Sequence, residues 1–269
     1  MTRIIGGKEM FSDNLGDRMK LHYENLTKTK LIQEVPVIIR LDGKAFHTFT
    51  RKFAKPFDSI LVKTMQETTK YLCENIQNCI FGYTQSDEIS LVLIKPLISS
   101  AVWFDYEVQK LCSVSASMAT LAFMQNFEKN INEIDVDEGP LSDVYRAALK
   151  KGAMFDARCF NIPECEVVNC IYWRQIDAKR NSVQMLARSI YSHKELDRKN
   201  TAMLLEMCNQ KGKDWEKLSN HLKWGSAVKY NLETHKVEID ENMPLLKGED
   251  RKYLEDLIVM NQDPSPHFH

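Results

Sequence analysis

Hydrophobic residues along this chain follow two spacings, one of two residues and one near 3.6, and the order of the two sketches a fold. Residues 35–41 are rich in β-branched side chains. The apolar run Val37, Ile38, Ile39 predicts a strand buried on both faces, with Pro36 tolerable at its start. After Pro56 the period lengthens. Asp58 or Ser59 caps a helix whose apolar face is Leu61, Val62, Met65, Thr69, Leu72, Cys73 and Ile76. Residues 79–83 and 89–94 predict two strands joined through Gln85-Ser86-Asp87-Glu88, a hairpin with acids at or beside its turn. Residues 103–127 carry a long helical pattern, and its small residues Ser113, Ser115, Ala116, Ser117 and Ala119 would let it lie close to a sheet or ligand. Residues 153–160 predict another strand, and 171–222 turn helical and polar.

Strand, helix, hairpin, helix, strand is a β-α-β-β-α-β unit. The expected class is therefore α+β, with a mostly antiparallel sheet and additional C-terminal helices. Before it, residues 13–29 place Leu15, Met19, His22 and Leu26 at helical spacing, with Ser12, Asp13 or Asn14 as cap. The expected organisation is a loose tail at 1–13, one domain at 14–232 and an extension at 233–269. Gly139-Pro140 marks a loop with Asp135, Asp137 and Glu138, and 263–269 reads as a frayed end.

Composition narrows the function classes. With 36 basic and 37 acidic residues the net charge is −1, so a polyanion must meet a local basic patch rather than a global field. Seven cysteines, none in a C-x-x-C pair, favour reduced thiols in the cytoplasm. Cys159, Cys165 and Cys170 lack a histidine at zinc-ligand spacing, which disfavours structural zinc. No stretch is long and apolar enough for a signal peptide or membrane span, so a soluble intracellular protein is expected.

Candidate chemistry gathers where the first strand ends. Asp42 closes that strand and Asp87 sits in the hairpin turn; in the fold just drawn both can reach one edge of the sheet. Two carboxylates meeting there repel unless a cation bridges them, and hard oxygen ligands select Mg²⁺. Gly43 lacks a Cβ, so its backbone can approach an ion closely and its carbonyl could add a third ligand. The competing reading is an Asp-Gly turn beside an Asp-Glu hairpin tip, both common on solvated loops. Lys44, His47, Arg51, Lys52 and Lys55 follow at once and offer counter-charge to a triphosphate. Phe46 and Phe49 offer aromatic faces for a base, or a core pair, the second reading being preferred for Phe49. Ser86 could donate to a phosphate or cap its turn. Lys110 is a lone helical lysine with no special claim from composition. His47 could serve as an acid or base near neutrality or hydrogen-bond locally. Further on, Trp173-Arg174-Gln175-Ile176-Asp177-Ala178-Lys179-Arg180-Asn181-Ser182, with Arg188 beyond, is cationic with an aromatic nearby, as an RNA-contacting or a solvated helix face would be. No P-loop, dinucleotide fingerprint or Ser-His-Asp arrangement is present.

Several ordered blocks resemble the tRNA-His guanylyltransferase superfamily. They are Arg40-Leu41-Asp42-Gly43 with Phe46-His47-x-Phe49, then Phe53-Ala54-Lys55-Pro56, Gln85-Ser86-Asp87-Glu88, Phe155-Asp156-Ala157-Arg158 and Trp173-Arg174-Gln175-x-Asp177, within residues 14–230. The resemblance implies a palm domain like that of conventional polymerases, run in the opposite direction. Such enzymes add nucleotides 3′ to 5′ at the 5′ end of tRNA with two Mg²⁺ ions. ATP first activates a monophosphorylated 5′ end, and the 3′-hydroxyl of the incoming GTP or other triphosphate then attacks it. By carry-over Asp42 and Asp87 are catalytic, and with the Gly43 carbonyl they bind metal. Arg40, Lys44, Ala45, Phe46, His47, Lys55, Ser86 and Lys110 would surround the nucleotide, and Arg174, Lys179, Arg180, Asn181 and Arg188 would meet tRNA. A homotetramer is implied as well.

One block departs. Histidine-tRNA-specific members carry His-Ile-Asn-Asn-Leu-Tyr-Asn where this chain has Lys179-Arg180-Asn181-Ser182-Val183-Gln184-Met185. In this it is similar to the Thg1-like proteins, the branch associated with template-dependent repair of 5′-truncated tRNAs. Addition of a single G to histidine tRNA, nucleotide cyclisation on the same palm, and a non-catalytic tRNA-binding module are the rival readings.

Overall fold

The computed structural model describes residues 14–96, 101–133, 140–231 and 234–262. The expected tail at 1–13, the acidic residues Asp135, Asp137 and Glu138, and the expected frayed end at 263–269 lie outside the described residues. Six strands make one sheet: β1 (Val37–Gly43), β2 (Cys79–Gln85), β3 (Glu88–Leu93), β4 (Phe155–Asn161), β5 (Ser226–Asn231) and β6 (Lys236–Asp240). Their order is β4-β1-β3-β2-β5-β6, and every neighbouring pair is antiparallel. The predicted β-α-β-β-α-β unit supplies the first four strands.

Helices α1 (Leu15–His22) and α2 (Phe46–Phe49) flank β1 in sequence, and α3 (Ser59–Asn75) precedes the β2–β3 hairpin. Then come α4 (Val108–Glu133), α5 (Pro140–Lys151) and α6 (Glu164–Arg188). Helices α7 (His193–Leu196), α8 (Thr201–Gln210), α9 (Asn220–Trp224) and α10 (Lys252–Gln262) complete the chain.

Strand alternation sorts β1 between two cores. Val37, Ile39 and Leu41 join one cluster with Met65 and Leu72 of α3 and Phe123 and Phe127 of α4. Ile38 joins another with Val167, Val168 and Ile171 of α6 and Leu254 and Ile258 of α10. Each fully buried aliphatic side chain contributes roughly 1.5–3 kcal/mol, and together these fix which way β1 faces. The buried Asp58 carboxylate starts α3, accepting from the Leu61 N–H at 2.9 Å, the Ala54 N–H at 2.9 Å and the Tyr145 hydroxyl at 2.6 Å. Helix α3 lies close on β2 because residue 82 is glycine: a Cβ there would meet Cys73 Sγ at 2.5 Å.

Four expectations change. Helix α1 is shorter than the apolar spacing over 13–29 predicts, and none of its residues is buried; Leu15, Met19 and Leu21 stay exposed, as does Leu26 beyond it. Helix α4 starts at Val108, because Phe104, Asp105 and Tyr106 take left-handed φ near +50° and form a separate turn. Of Ser113, Ser115, Ala116, Ser117 and Ala119 on α4, only Ser115 and Ala119 are buried. Strands β5 and β6 extend the sheet, and Met243, Leu246, Leu254 and Ile258 fill the α6-side core, so the expected boundary at 232/233 falls between two paired strands. Among the described residues no helix is long and apolar enough to cross a membrane.

Candidate active site

Asp42 is the last residue but one of β1 and shares the parity of Ile38 and Arg40, so it projects on the α6 side. In register, Asp42 stands opposite Glu88 of β3 and Asp156 of β4, while Arg40 stands opposite Ser90 and Arg158. The sheet end on that side therefore carries a row of three carboxylates. Asp87 joins them from the two-residue loop between β2 and β3. The Gly43 N–H donates to the Asp87 carbonyl at 3.0 Å, tying the strand exit to the loop. Ser86 holds a left-handed φ of 56°, as a tight hairpin requires, and its hydroxyl donates to Asp87 Oδ1 at 3.0 Å.

Two of the four carboxylates are matched by cations. Arg174 donates through Nε and Nη2 to Glu88 at 2.6 and 2.7 Å, and through Nη2 to Asp177 at 3.0 Å. Arg158 pairs with Asp156 at 3.0 Å. Among the described residues no lysine or arginine lies within ion-pair distance of Asp42 or Asp87. Burial pushes the Asp87 carboxyl above the ordinary aspartate range. The Ser86 hydroxyl opposes that shift, the Asp42 charge adds to it and His47 pulls against it. Burial likewise pushes Glu88 up, against the pull of Arg174. Two carboxylates at one sheet end, neither paired with a lysine or arginine among the described residues, are a donor set suited to a hard divalent cation. Among the described residues no group of three or more His, Cys, Asp or Glu side chains is arranged to hold a metal.

The other candidates divide. Lys44, Ala45 and His47 follow β1 directly and are exposed; Ala45 takes a left-handed φ of 54°, and the Lys44 N–H donates to the Met154 carbonyl at 2.8 Å. Lys55 is exposed in the loop before α3 and makes no ion pair among the described residues. The Phe46 ring, offered above as a face for a base, is 3% exposed and packs on Phe49, Phe123 and Phe155, so only its backbone can meet a ligand. Gly43 has a second role that the sequence reading missed: a Cβ there would meet the Phe46 ring at 2.2 Å.

Lys110 is not brought to the site within this chain. Its ammonium lies 5.7 Å from the Phe104 ring centroid near the start of α4. That end of α4 borders Cys159, opposite Ile39, whereas Thr120 accepts from the Phe155 N–H at the aspartate end. Ten helical residues, about 15 Å, separate the two. The Arg174 charge is already matched by Glu88 and Asp177, which accept from its Nε and Nη2. Lys179 lies over the Trp215 ring at 5.2 Å, Arg180 pairs with Asp177, Asn181 is half-buried, and Arg188 is exposed beside Gln184. Asp156 and Arg158 were missed as neighbours of Asp42; strand alternation, counted back from β4's apolar residues, is the signal that could have found them.

The fold is a palm-like antiparallel sheet with helices packed on it and carboxylates gathered at one end. The model of the family described as tRNAHis guanylyltransferase matches residues 16–163, and the chain belongs to that family, whose members are nucleotidyltransferases. A solved structure of a bacterial tRNA(His) guanylyltransferase (Thg1)-like protein in complex with ATP is similar at TM-score 0.79 and 35% identity, over 91% of this chain and 99% of that one. One in complex with GTP gives 0.72 and 34% over the same shares. The tRNA(His) guanylyltransferase of Schizosaccharomyces pombe is 30% identical over 164 residues, 60% of this chain and 55% of that protein, so the match spans about half the yeast enzyme.

Proposed function

We propose that this protein is a template-dependent 3′–5′ nucleotidyltransferase that restores nucleotides to the 5′ end of truncated tRNA. The observation that carries the reading is the pair of carboxylates, Asp42 and Asp87, held at one sheet end with no lysine or arginine partner among the described residues. They and the Gly43 carbonyl would hold two Mg²⁺ ions. Bound there, the ions would neutralise triphosphate charge and stabilise the attacking and leaving oxygens of an in-line displacement. The chain's own part is positioning: the sheet fixes Asp42, the hairpin fixes Asp87, and the exposed Lys44, Ala45, His47 and Ser86, next to them in sequence, would receive the triphosphate. The ATP and GTP bound by the bacterial Thg1-like proteins support those two nucleotides as substrates.

The test uses labelled GTP and a tRNA lacking its first 5′ nucleotide. Asp42→Ala and Asp87→Ala should each abolish addition while the fold persists, and Mg²⁺ should raise the Tm of the wild type but not of Asp42→Ala. Normal activity in either variant sinks the assignment. A second reading, addition of one G to full-length histidine tRNA, is supported by the name of the yeast relative; labelling full-length against truncated tRNAs separates the two. A homotetramer working in the cytoplasm completes the proposal. The exposed Leu15, Met19, Leu21, Tyr23 and Leu26 support a contact between copies, and seven free thiols suit a reducing compartment. A monomer by light scattering would remove the first.

A further inference from the structure

Of the four tryptophans, Trp103 and Trp215 are buried and Trp224 is half-buried, but Trp173 is 52% exposed. It stands on α6, over the sheet face that carries Asp42. The Arg174 guanidinium lies 4.5 Å from its ring centroid and that of Arg40 lies 5.7 Å away. Arg40 is one pleat repeat, about 6.6 Å, behind Asp42 on the same face. Beyond it Arg158, half-exposed on β4, has Asp156 as its ion-pair partner. One turn along α6, Ile176 is also exposed, at 49%. An aromatic plane and an apolar step exposed on α6, and a half-exposed guanidinium on β4, thus sit on the sheet face that carries the carboxylate row.

We propose that this surface receives the end of the RNA acceptor, with Trp173 stacking the terminal base and Arg158 taking a backbone phosphate. The inference rests on the nucleotidyltransferase reading of Asp42 and Asp87. Strand parity argues for RNA rather than the incoming triphosphate. Lys44, Ala45 and His47 lead from β1 into α2, whose Phe46 and Phe49 pack into the α3–α4 core. Trp173 lies on the opposite side of the sheet. A nucleotide held by that loop leaves Trp173 to the strand it is joined to. The indole face is sequence-tolerant, as repair of many different ends requires, because every base has a π-face. Releasing Arg158 from Asp156 is no obstacle, since exposed ion pairs contribute little.

The experiment measures binding of a 5′-truncated tRNA to the full chain without Mg²⁺ or triphosphate, and then KM for RNA and for GTP separately. Trp173→Ala should weaken RNA binding by about tenfold or more and raise KM for RNA, leaving KM for GTP within about twofold. Trp173→Phe should keep most of the affinity. Indole quenching by RNA should be present in the wild type and missing in Trp173→Phe. Arg158→Gln should lower the slope of log affinity against log salt by about one. Unchanged RNA affinity in Trp173→Ala, or a rise confined to KM for GTP, overturns the proposal. Binding in the absence of nucleotide needs no chemistry, so it stands or falls apart from the Asp42→Ala result.

Discussion

Replacing Gly43 by alanine tests the packing that fixes where β1 ends. The new Cβ would meet three Phe46 ring carbons at 2.2, 2.6 and 2.6 Å, and restoring an ordinary contact of 3.4 Å means moving the ring by about 1.2 Å. The ring has nowhere to go: Phe49, Phe123 and Phe155 surround it with centroids at 5.2, 5.3 and 5.2 Å. Overpacking a core typically destabilises by ~1–3 kcal/mol, and confinement on three sides puts Gly43→Ala at about 3 kcal/mol. Phe46→Ala alone should lose roughly 3–5 kcal/mol through its cavity. In the double variant the added methyl enters the space the ring left, so the total should match Phe46→Ala alone, a coupling of about 3 kcal/mol. Urea unfolding of the four proteins at constant m-value measures it. Additive losses, within about 0.5 kcal/mol, would mean that the ring is not what excludes a side chain at 43.

Arg174→Met leaves the half-buried Glu88 without its counter-charge and should destabilise by about 2–4 kcal/mol, with Glu88→Gln in the same chain restoring at least half; no restoration would show that the pair is not the cause. Asp58→Ala removes the α3 cap and orphans the Tyr145 hydroxyl, so chemical denaturation should show a loss of about 2–4 kcal/mol against about 1 kcal/mol for Tyr145→Phe. Burial, reinforced by the neighbouring Cys112, pushes the Cys159 thiol up to about 12. A raised thiol pKa means less thiolate, about 10⁻⁴ of the molecules at pH 8, so iodoacetamide followed by mass spectrometry should mark the exposed Cys165 first and reach Cys159 only as pH climbs. Equal labelling of the two at pH 8 contradicts the burial argument.

The parts of the fold that the sequence announces are those whose signal is local. β1 declares itself through Val37, Ile38 and Ile39, and α3 through Asp58 followed by its apolar face. Asp42 and Asp87 were recognisable as partners because a hairpin turn and a neighbouring strand end must meet. What escaped notice depends on contacts distant in sequence. Arg174 looks like a free cation until Glu88, 86 positions away, is found against it. Phe46 looks like a ligand platform until Phe123 and Phe155 close over it. β5 and β6 were hidden because their half-exposed residues give no strong alternation, and β6 is an edge strand. Lys110 was carried over from a motif order that says nothing of which end of α4 faces the site. The spacing in α1 promised a buried face, and no described residue covers it.

The bond from the Gly43 N–H to the Asp87 carbonyl makes the carboxylate centre a matter of counting. Side chains alternate along a strand, so the sheet reads an insertion by parity. One extra residue within β1 would turn Asp42 to the α3–α4 side, into the aromatic core. Two would restore the side but carry Asp42 about 7 Å past its partner. A longer β2–β3 loop would release Asp87 with every side chain still in place. A redesign of this chain must therefore keep the residue count of β1 and of the Ser86-Asp87 loop.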